Sequence, residues 1–304
     1  MTGDNSLRFG RMAGRISVCM AAFFAVTFVI GTFFDHPIAS AIFSGGNIPA
    51  LAISSLGIYV FCGAYSFYLG AALSQAMKVA NEKRRILYST FVIFLAVVIM
   101  LVSGGSLLDI NNLGGIFPEV HRTIPLMTIV FLFVFLPLAV LGFILGRRNN
   151  DPTLGRRIIL ILNTMTIMLI IYEVIKTGMP RPRFRLIQEH IEGVDFHAWY
   201  DPIKNKDELI ETFGIYSDNF KSFPSGHTAN AVASIAILPG LAAVVPALRK
   251  RLTTLFAIGF VFGFIVLASR MVLGAHFLSD VSCGGFIASV ASAVYYKRER
   301  QLFG

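Results

Sequence analysis

Long apolar runs, separated by short polar segments, make up most of this chain. Eight of them approach the roughly 20 residues that an α-helix needs to cross the hydrocarbon core of a bilayer. They lie near 15–34, 50–73, 86–106, 124–145, 158–177, 228–247, 252–271 and 277–296. The pattern predicts an all-α fold, a polytopic transmembrane helix bundle of about eight spans. Residues 1–12 read as a polar tail, and span one is expected to end near Phe34-Asp-His-Pro37, where proline marks a boundary. Gly57, Gly63, Gly70 and Ala71 in span two suit close helix packing, and Pro137 in span four suits a kink. The only long polar piece is the connection 178–222. Within it, Asp207 to Phe213 could wind into one or two helical turns, and Phe196-His-Ala-Trp-Tyr200 suits an aromatic belt at the membrane interface. We therefore divide the chain into 1–150, four spans of unassigned function, and 151–304, a second half carrying the outer loop 178–222.

Composition sharpens this picture. Hydrophobic residues make up 55% of the chain and charged residues 14%, which excludes an ordinary soluble domain. The net charge of +9 would suit nucleic acid, but its distribution argues otherwise. Of 26 Lys and Arg, 17 fall before span one or after spans two, four, six and eight. By the positive-inside rule that side is cytoplasmic, as are both termini. A nucleic-acid partner is not expected; the bilayer is. Cys19, Cys62 and Cys283 lie in spans without metal-ligand spacing, so neither a disulfide framework nor a metal site is indicated. Span one has a basic flank but no clear small-residue cleavage site, and reads as a retained signal-anchor.

Cations on the other side call for a reason. Apart from Arg122, they are Lys176, Arg181, Arg183, Arg185, Lys204, Lys206, Lys221 and Arg270. Lys176 lies 18 residues beyond Ile158, and Arg270 18 residues beyond Leu252. At ~1.5 Å per residue each is about 27 Å along its helix, at the outer surface. Span six opens on Phe223-Pro-Ser-Gly-His-Thr228, whose helix start would present free amides and bring Ser225, Gly226 and His227 to the same level. In Ser269–Asp280, His276 and Asp280 are four apart, so on a helix they could hydrogen-bond. Gly274-Ala275 is a natural place for the chain to turn over, putting Arg270 and His276 on two different helices. Three helix junctions thus deliver cations, a helix N-terminus and two histidines to one face. That set describes a phosphate site with cations in place of a metal. His121 and Glu119, like His190 and His197, read as loop residues.

These residues resemble the type 2 phosphatidic acid phosphatases, a family related to glucose-6-phosphatase and the vanadium haloperoxidases. Their signature is K-x6-R-P, then P-S-G-H, then S-R-x5-H-x3-D. The last two are present unaltered as Pro224–His227 and Ser269–Asp280, within a resemblance covering roughly 158–296. The first departs: six residues after Lys176 comes Arg183, followed by Phe184 instead of proline, whereas Arg181 precedes Pro182 but is only four residues away. We favour Arg183 for its reach, with Arg181 as a further candidate. The resemblance implies that His276 attacks phosphorus to form a phosphohistidine, oriented by Asp280. It implies that His227 protonates the leaving oxygen and then activates water. Lys176, Arg183, Arg181, Ser225, the Gly226 amide and Arg270 would hold the phosphoryl oxygens, with no metal or other cofactor.

The expectation is an integral membrane lipid phosphatase acting on a phosphomonoester or diphosphate headgroup at the outer, periplasmic face of a bacterial inner membrane. An endoplasmic reticulum protein with a lumenal site is the other setting. A phosphotransferase using the same intermediate is the first alternative. A transporter with a vestigial site is the second, disfavoured because no internal repeat is visible and the charges sit at the surface. Phosphatidic acid, phosphatidylglycerophosphate, undecaprenyl diphosphate and a lipid A phosphate all fit the headgroup.

Overall fold

The structure is a computed structural model, and it describes residues 3–107, 129 and 131–303. Every extended element among them is helical. The bundle is built from α1 (Gly3–Ile42), α2 (Ile48–Ala76), α3 (Glu82–Leu107), α4 (Leu136–Arg148), α5 (Leu154–Gly178), α8 (Gly226–Val232), α9 (Ser234–Val244), α10 (Leu252–Val272) and α11 (Leu278–Phe303). Two short helices, α6 (Phe184–Ile187) and α7 (Lys206–Phe213), lie in the long connection. Among the described residues five helices are long and apolar enough to cross a membrane. The bent pair α8–α9, with 44° between its halves, makes a sixth. Of the eight expected spans, the third coincides with α3. The fourth is described only from its π-helical turn Phe131–Phe135 through α4, its first half lying outside the described residues, as do Glu119, His121 and Arg122.

The apolar pattern explains the helices. Phe23, Val26, Ile30 and Phe33 on α1, Ile167, Ile170 and Val174 on α5, and Ile258, Val261 and Ile265 on α10 recur every three or four residues and are exposed. This is the stripe a helix turns toward lipid. Small residues decide the opposite faces. A Cβ on Gly70 would fall 1.8 Å from the Ala139 carbonyl oxygen, and one on Gly142 would fall 2.0 Å from that of Phe67. The backbones of α2 and α4 therefore touch, as the small residues of span two suggested. The irregularity expected at Pro137 takes the form of the π-helical turn just before it, since proline cannot donate to the preceding turn.

Two boundaries differ from expectation. α1 starts at Gly3 rather than after a polar tail, and it runs on through Pro37 to Ile42. Proline removes one hydrogen bond, but the last turns of α1 are held by packing instead: His36 stacks edge-on against Phe184 and Phe196, and Phe43 against Phe184. The expected sixth span is two helices meeting at Ala233, each ended by its own local bonds.

The break at Gly274 is present as expected. Gly274 has a φ of +59°, the left-handed region that glycine enters without steric cost. The Ala275 amide donates to the Arg270 carbonyl at 3.1 Å and the Gly274 amide to that of Met271 at 2.9 Å. This paired C-terminal cap reverses the chain after α10. α11 then starts at Leu278 and lies along α1, its most extensive partner.

Residues 178–222 form a small folded cap. Leu186, Val194, Ile203, Leu209, Ile215 and Phe220 make a core of their own, and α7 occupies the stretch where helical turns were expected. Trp199 is half-buried. Its indole N–H donates to Thr32 Oγ1 at 3.0 Å, and its ring stacks on Phe223, 5.6 Å between centroids. A tryptophan with an apolar body and one donor finds both partners inside the protein. The cap is thereby fastened to α1 and to the segment leading into α8.

Candidate active site

Each junction contributes through a local reason. Ser225 is the N-cap of α8: its Oγ accepts from the Thr228 amide at 3.3 Å, leaving the Gly226 and His227 amides at the positive end of the helix. Gly226 is needed for space. A Cβ there would lie 2.9 Å from Lys176 Nζ and 3.0 Å from the Tyr172 ring. The ammonium of Lys176, also 5.1 Å above the Tyr172 ring centroid, is thus pressed against the start of α8. Arg270, wholly buried, donates from Nη1 to Ser54 Oγ of α2 at 2.5 Å. The Ser225 amide donates to the Asp280 carbonyl at 3.0 Å, which ties α8 to α11.

His276 lies two residues before α11 and is buried. Its Nδ1 is 2.6 Å from the Ser222 carbonyl oxygen, an acceptor only, so Nδ1 carries the proton and Nε2 the lone pair. Asp280 does not make the direct bond that the four-residue spacing suggested. It stands 3.9 Å from Nδ1, beyond hydrogen-bond reach. The spacing rule assumed a continuous helix, and His276 is outside it. Asp280 acts one group removed: Oδ2 accepts from Ser222 Oγ at 2.5 Å and from the Phe277 amide at 2.8 Å. It thereby fixes the residue whose carbonyl holds the imidazole.

The two candidate arginines of the first motif separate cleanly. Arg181 is buried and makes four hydrogen bonds, to the His197 carbonyl (2.8 Å), Ser279 Oγ (3.0 Å), Asp280 Oδ1 (2.6 Å) and Asp35 Oδ2 (2.9 Å). Its guanidinium also lies 4.1 Å above the Phe277 ring. It belongs to the scaffold under α11: expected as a further phosphate-binding candidate, its guanidinium is instead engaged by these carboxylate, hydroxyl and carbonyl partners. Arg183 donates to the Asp218 carboxylate at 2.7 Å and to the Asp218 carbonyl at 2.9 Å. Its charge, with those of Arg270 and Lys176, reaches His276. Arg183 is therefore the first-motif arginine that joins the cation group.

Burial, then Arg270, Arg183, His227 and Lys176 push the His276 imidazole well below its ordinary pKa. It is neutral at pH 7 and can offer Nε2. A folded-state value below the unfolded one means that the unfolded chain takes the proton first. Stability from this group is then complete above the ordinary imidazole range and is lost as pH falls from that range through the depressed folded-state value. A ¹⁵N NMR titration of His276 should find its midpoint well below 6.5, the ordinary value. Arg183→Gln should raise that midpoint, because one cation opposing protonation is gone; an unchanged or lower midpoint would separate Arg183 from the site. Asp218 is held below the usual carboxylate range: burial raises it, but Arg183, Lys221, Lys176 and Arg270 outweigh burial. It is an anion at the edge of the cation group.

The structure thus gathers Lys176, Arg183, Ser225, Gly226, His227, Arg270, His276 and Asp280 at one end of the bundle. His190 and His197 stay in the cap, where His197 Nδ1 meets the Asp201 carbonyl oxygen at 3.0 Å. Sequence reasoning missed Asp35, Ser54, Asp218 and Ser222. Asp35 carried a usable signal, an acid within an apolar run; Ser54 and Ser222 carried none. Among the described residues no three His, Cys, Asp or Glu converge as metal ligands.

Compared with known proteins, residues 157–302 match the sequence model of the PAP2 superfamily. That stretch contains all three motif regions. No curated protein and no solved structure matches the chain significantly.

Proposed function

The chain carries a PAP2 superfamily domain over residues 157–302, and on that premise we propose that it is an integral membrane phosphatase removing phosphate from a lipid headgroup. The family's phosphatase-type activity and the long apolar helices support an enzyme that works in a membrane. The observation that carries the reading is the neutral, Nδ1-tethered His276 set among Arg270, Arg183 and Lys176. An unprotonated imidazole nitrogen beside several fixed cations suits attack on a phosphoryl group whose oxygens need neutralising.

In the proposed reaction, the Nε2 lone pair of His276 forms a bond to phosphorus as the bond to the lipid oxygen breaks. His227 takes up the proton that the phosphate monoester brings as its monoanion and hands it to the leaving oxygen. His227 then takes a proton from water as the water oxygen attacks phosphorus. The N–P bond breaks, inorganic phosphate leaves and His276 is restored. Lys176, Arg183, Arg270 and the amides at the start of α8 hold the three non-reacting oxygens, with no metal ion. Ser225 serves that amide pair through its cap. The cationic connections at the opposite end of the bundle support a site on the outer, periplasmic side. The position at the ends of apolar helices supports a lipid substrate with its chains in the bilayer.

The test is phosphate release by the purified full-length protein from a panel of lipid phosphomonoesters and diphosphates in EDTA. Release equal to substrate loss is expected for at least one member. A strict requirement for Mg²⁺, or phosphate recovered only on a second lipid, would overturn metal-free hydrolysis.

A further inference from the structure

The site rests on a carboxylate from the first helix, outside the stretch matched by the family. Asp35 is buried in α1, and its two oxygens grip the first turn of α11. Oδ1 accepts from the Ser279 amide at 2.8 Å, and Oδ2 accepts from Ser279 Oγ and from Arg181 Nη2, the latter at 2.9 Å. A negative group at a helix N-terminus satisfies free amides and meets the positive end of the helix dipole. The approach is tight: a Cβ on Gly31, one turn earlier on α1, would fall 2.5 Å from the Ser279 nitrogen.

From Ser279 and Arg181 the contacts continue to the imidazole. Arg181 binds Asp280 Oδ1 at 2.6 Å, and the Arg181 carbonyl accepts from the Ser222 amide at 3.1 Å. Asp280 Oδ2 accepts from Ser222 Oγ, and the Ser222 carbonyl holds His276 Nδ1. Asp35 and Asp280 thus share one guanidinium. Without the negative charge of Asp35, Arg181 would be balanced by Asp280 alone and would draw that carboxylate toward itself and away from Ser222.

We propose that Asp35 is a positioning residue for His276, keeping Asp280 divided between Arg181 and Ser222 so that the imidazole stays in its Nδ1-protonated form. This rests on the phosphatase reading for its kinetic consequence, but not for its effect on the imidazole. α1 is then part of the catalytic unit, while the motif-bearing domain begins more than a hundred residues later.

The test compares full-length wild type with Asp35→Asn, which keeps the shape and can still accept from the Ser279 amide. Ser279→Ala, which removes only the bridging hydroxyl, serves as a milder second variant and replaces the first should it not fold. With a lipid phosphate cleaved by wild type, Asp35→Asn should lower kcat about 10-fold, the lower end of the range for groups that orient a functional side chain, and leave KM within about twofold. Ser279→Ala should lower kcat less. In ¹⁵N-histidine spectra, with His276 assigned by its loss in His276→Gln, wild type should show the neutral Nδ1–H tautomer and Asp35→Asn a mixture. An unchanged tautomer, or a loss confined to KM, overturns the proposal. If wild type cleaves nothing, the phosphatase reading fails, and the spectra still decide the role of Asp35.

Discussion

His276→Ala is expected to reduce phosphate release by about 10⁴-fold or more, in line with removal of a nucleophile from other covalent hydrolases. The cations and the α8 amides would still bind the phosphate, so KM should change much less than kcat. His227→Ala should cost less, about 10²–10⁴-fold, because it removes proton transfer rather than the nucleophile. The leaving group separates the two roles. With a lipid analogue whose leaving oxygen needs no proton, such as a nitrophenyl phosphate, formation of the intermediate should largely recover in His227→Ala and not at all in His276→Ala. Denaturing the His227→Ala protein during turnover should then trap an acid-labile, base-stable phosphoryl group. Such a group on His276→Ala protein, or turnover surviving that substitution, would remove His276 from the role of nucleophile.

Arg181→Met should destabilise the folded protein by about 3–5 kcal/mol, the cost of removing one partner from a buried ion pair. Arg181 is 1% exposed, and its loss leaves both Asp35 and Asp280 without their shared counter-charge. The remaining partners of Asp35 are the Ser279 amide and hydroxyl, and neither carries charge. Adding Asp35→Asn to Arg181→Met should recover part of the lost stability, since one uncompensated carboxylate fewer is buried. The thermal midpoint of the purified protein in detergent measures both steps of the cycle. A single variant that melts like wild type would contradict the scaffold role and return Arg181 to the phosphate ligands. Arg183→Ala makes the contrast, with a smaller fall in midpoint, because its partner Asp218 is 22% exposed and can be solvated, and a loss in kcat/KM of about 10²–10³-fold, typical of one lost charge-stabilising donor.

Much of the architecture was legible from pattern alone. Spans one, two, five, seven and eight correspond to helices, because a run of apolar residues has no other way to satisfy its backbone in lipid. The turn at Gly274 was legible for the same kind of local reason, since glycine there takes a conformation other residues resist. The helix ends were less so. Pro37 normally stops a helix, yet the aromatic packing of His36 and Phe43 against Phe184 carries α1 past it. The bend at Ala233 had no proline or glycine to announce it.

What the sequence determined by itself was chemistry tied to short spacing: membrane-spanning helices, a helix start at Pro224–His227, and cations delivered to helix ends. Tertiary structure decided which of those groups meet. It assigned Arg183 to the cation group and Arg181 to the support beneath it, though only two positions separate them, because each guanidinium goes to the carboxylate that the fold brings near. It also put the Ser222 carbonyl where the Asp280 carboxylate was expected, and supplied Asp35 and Ser54 from helices far away in the chain. Local propensity and periodicity act within a few residues, whereas a buried charge takes its partner from whatever packs against it, and that depends on the whole bundle.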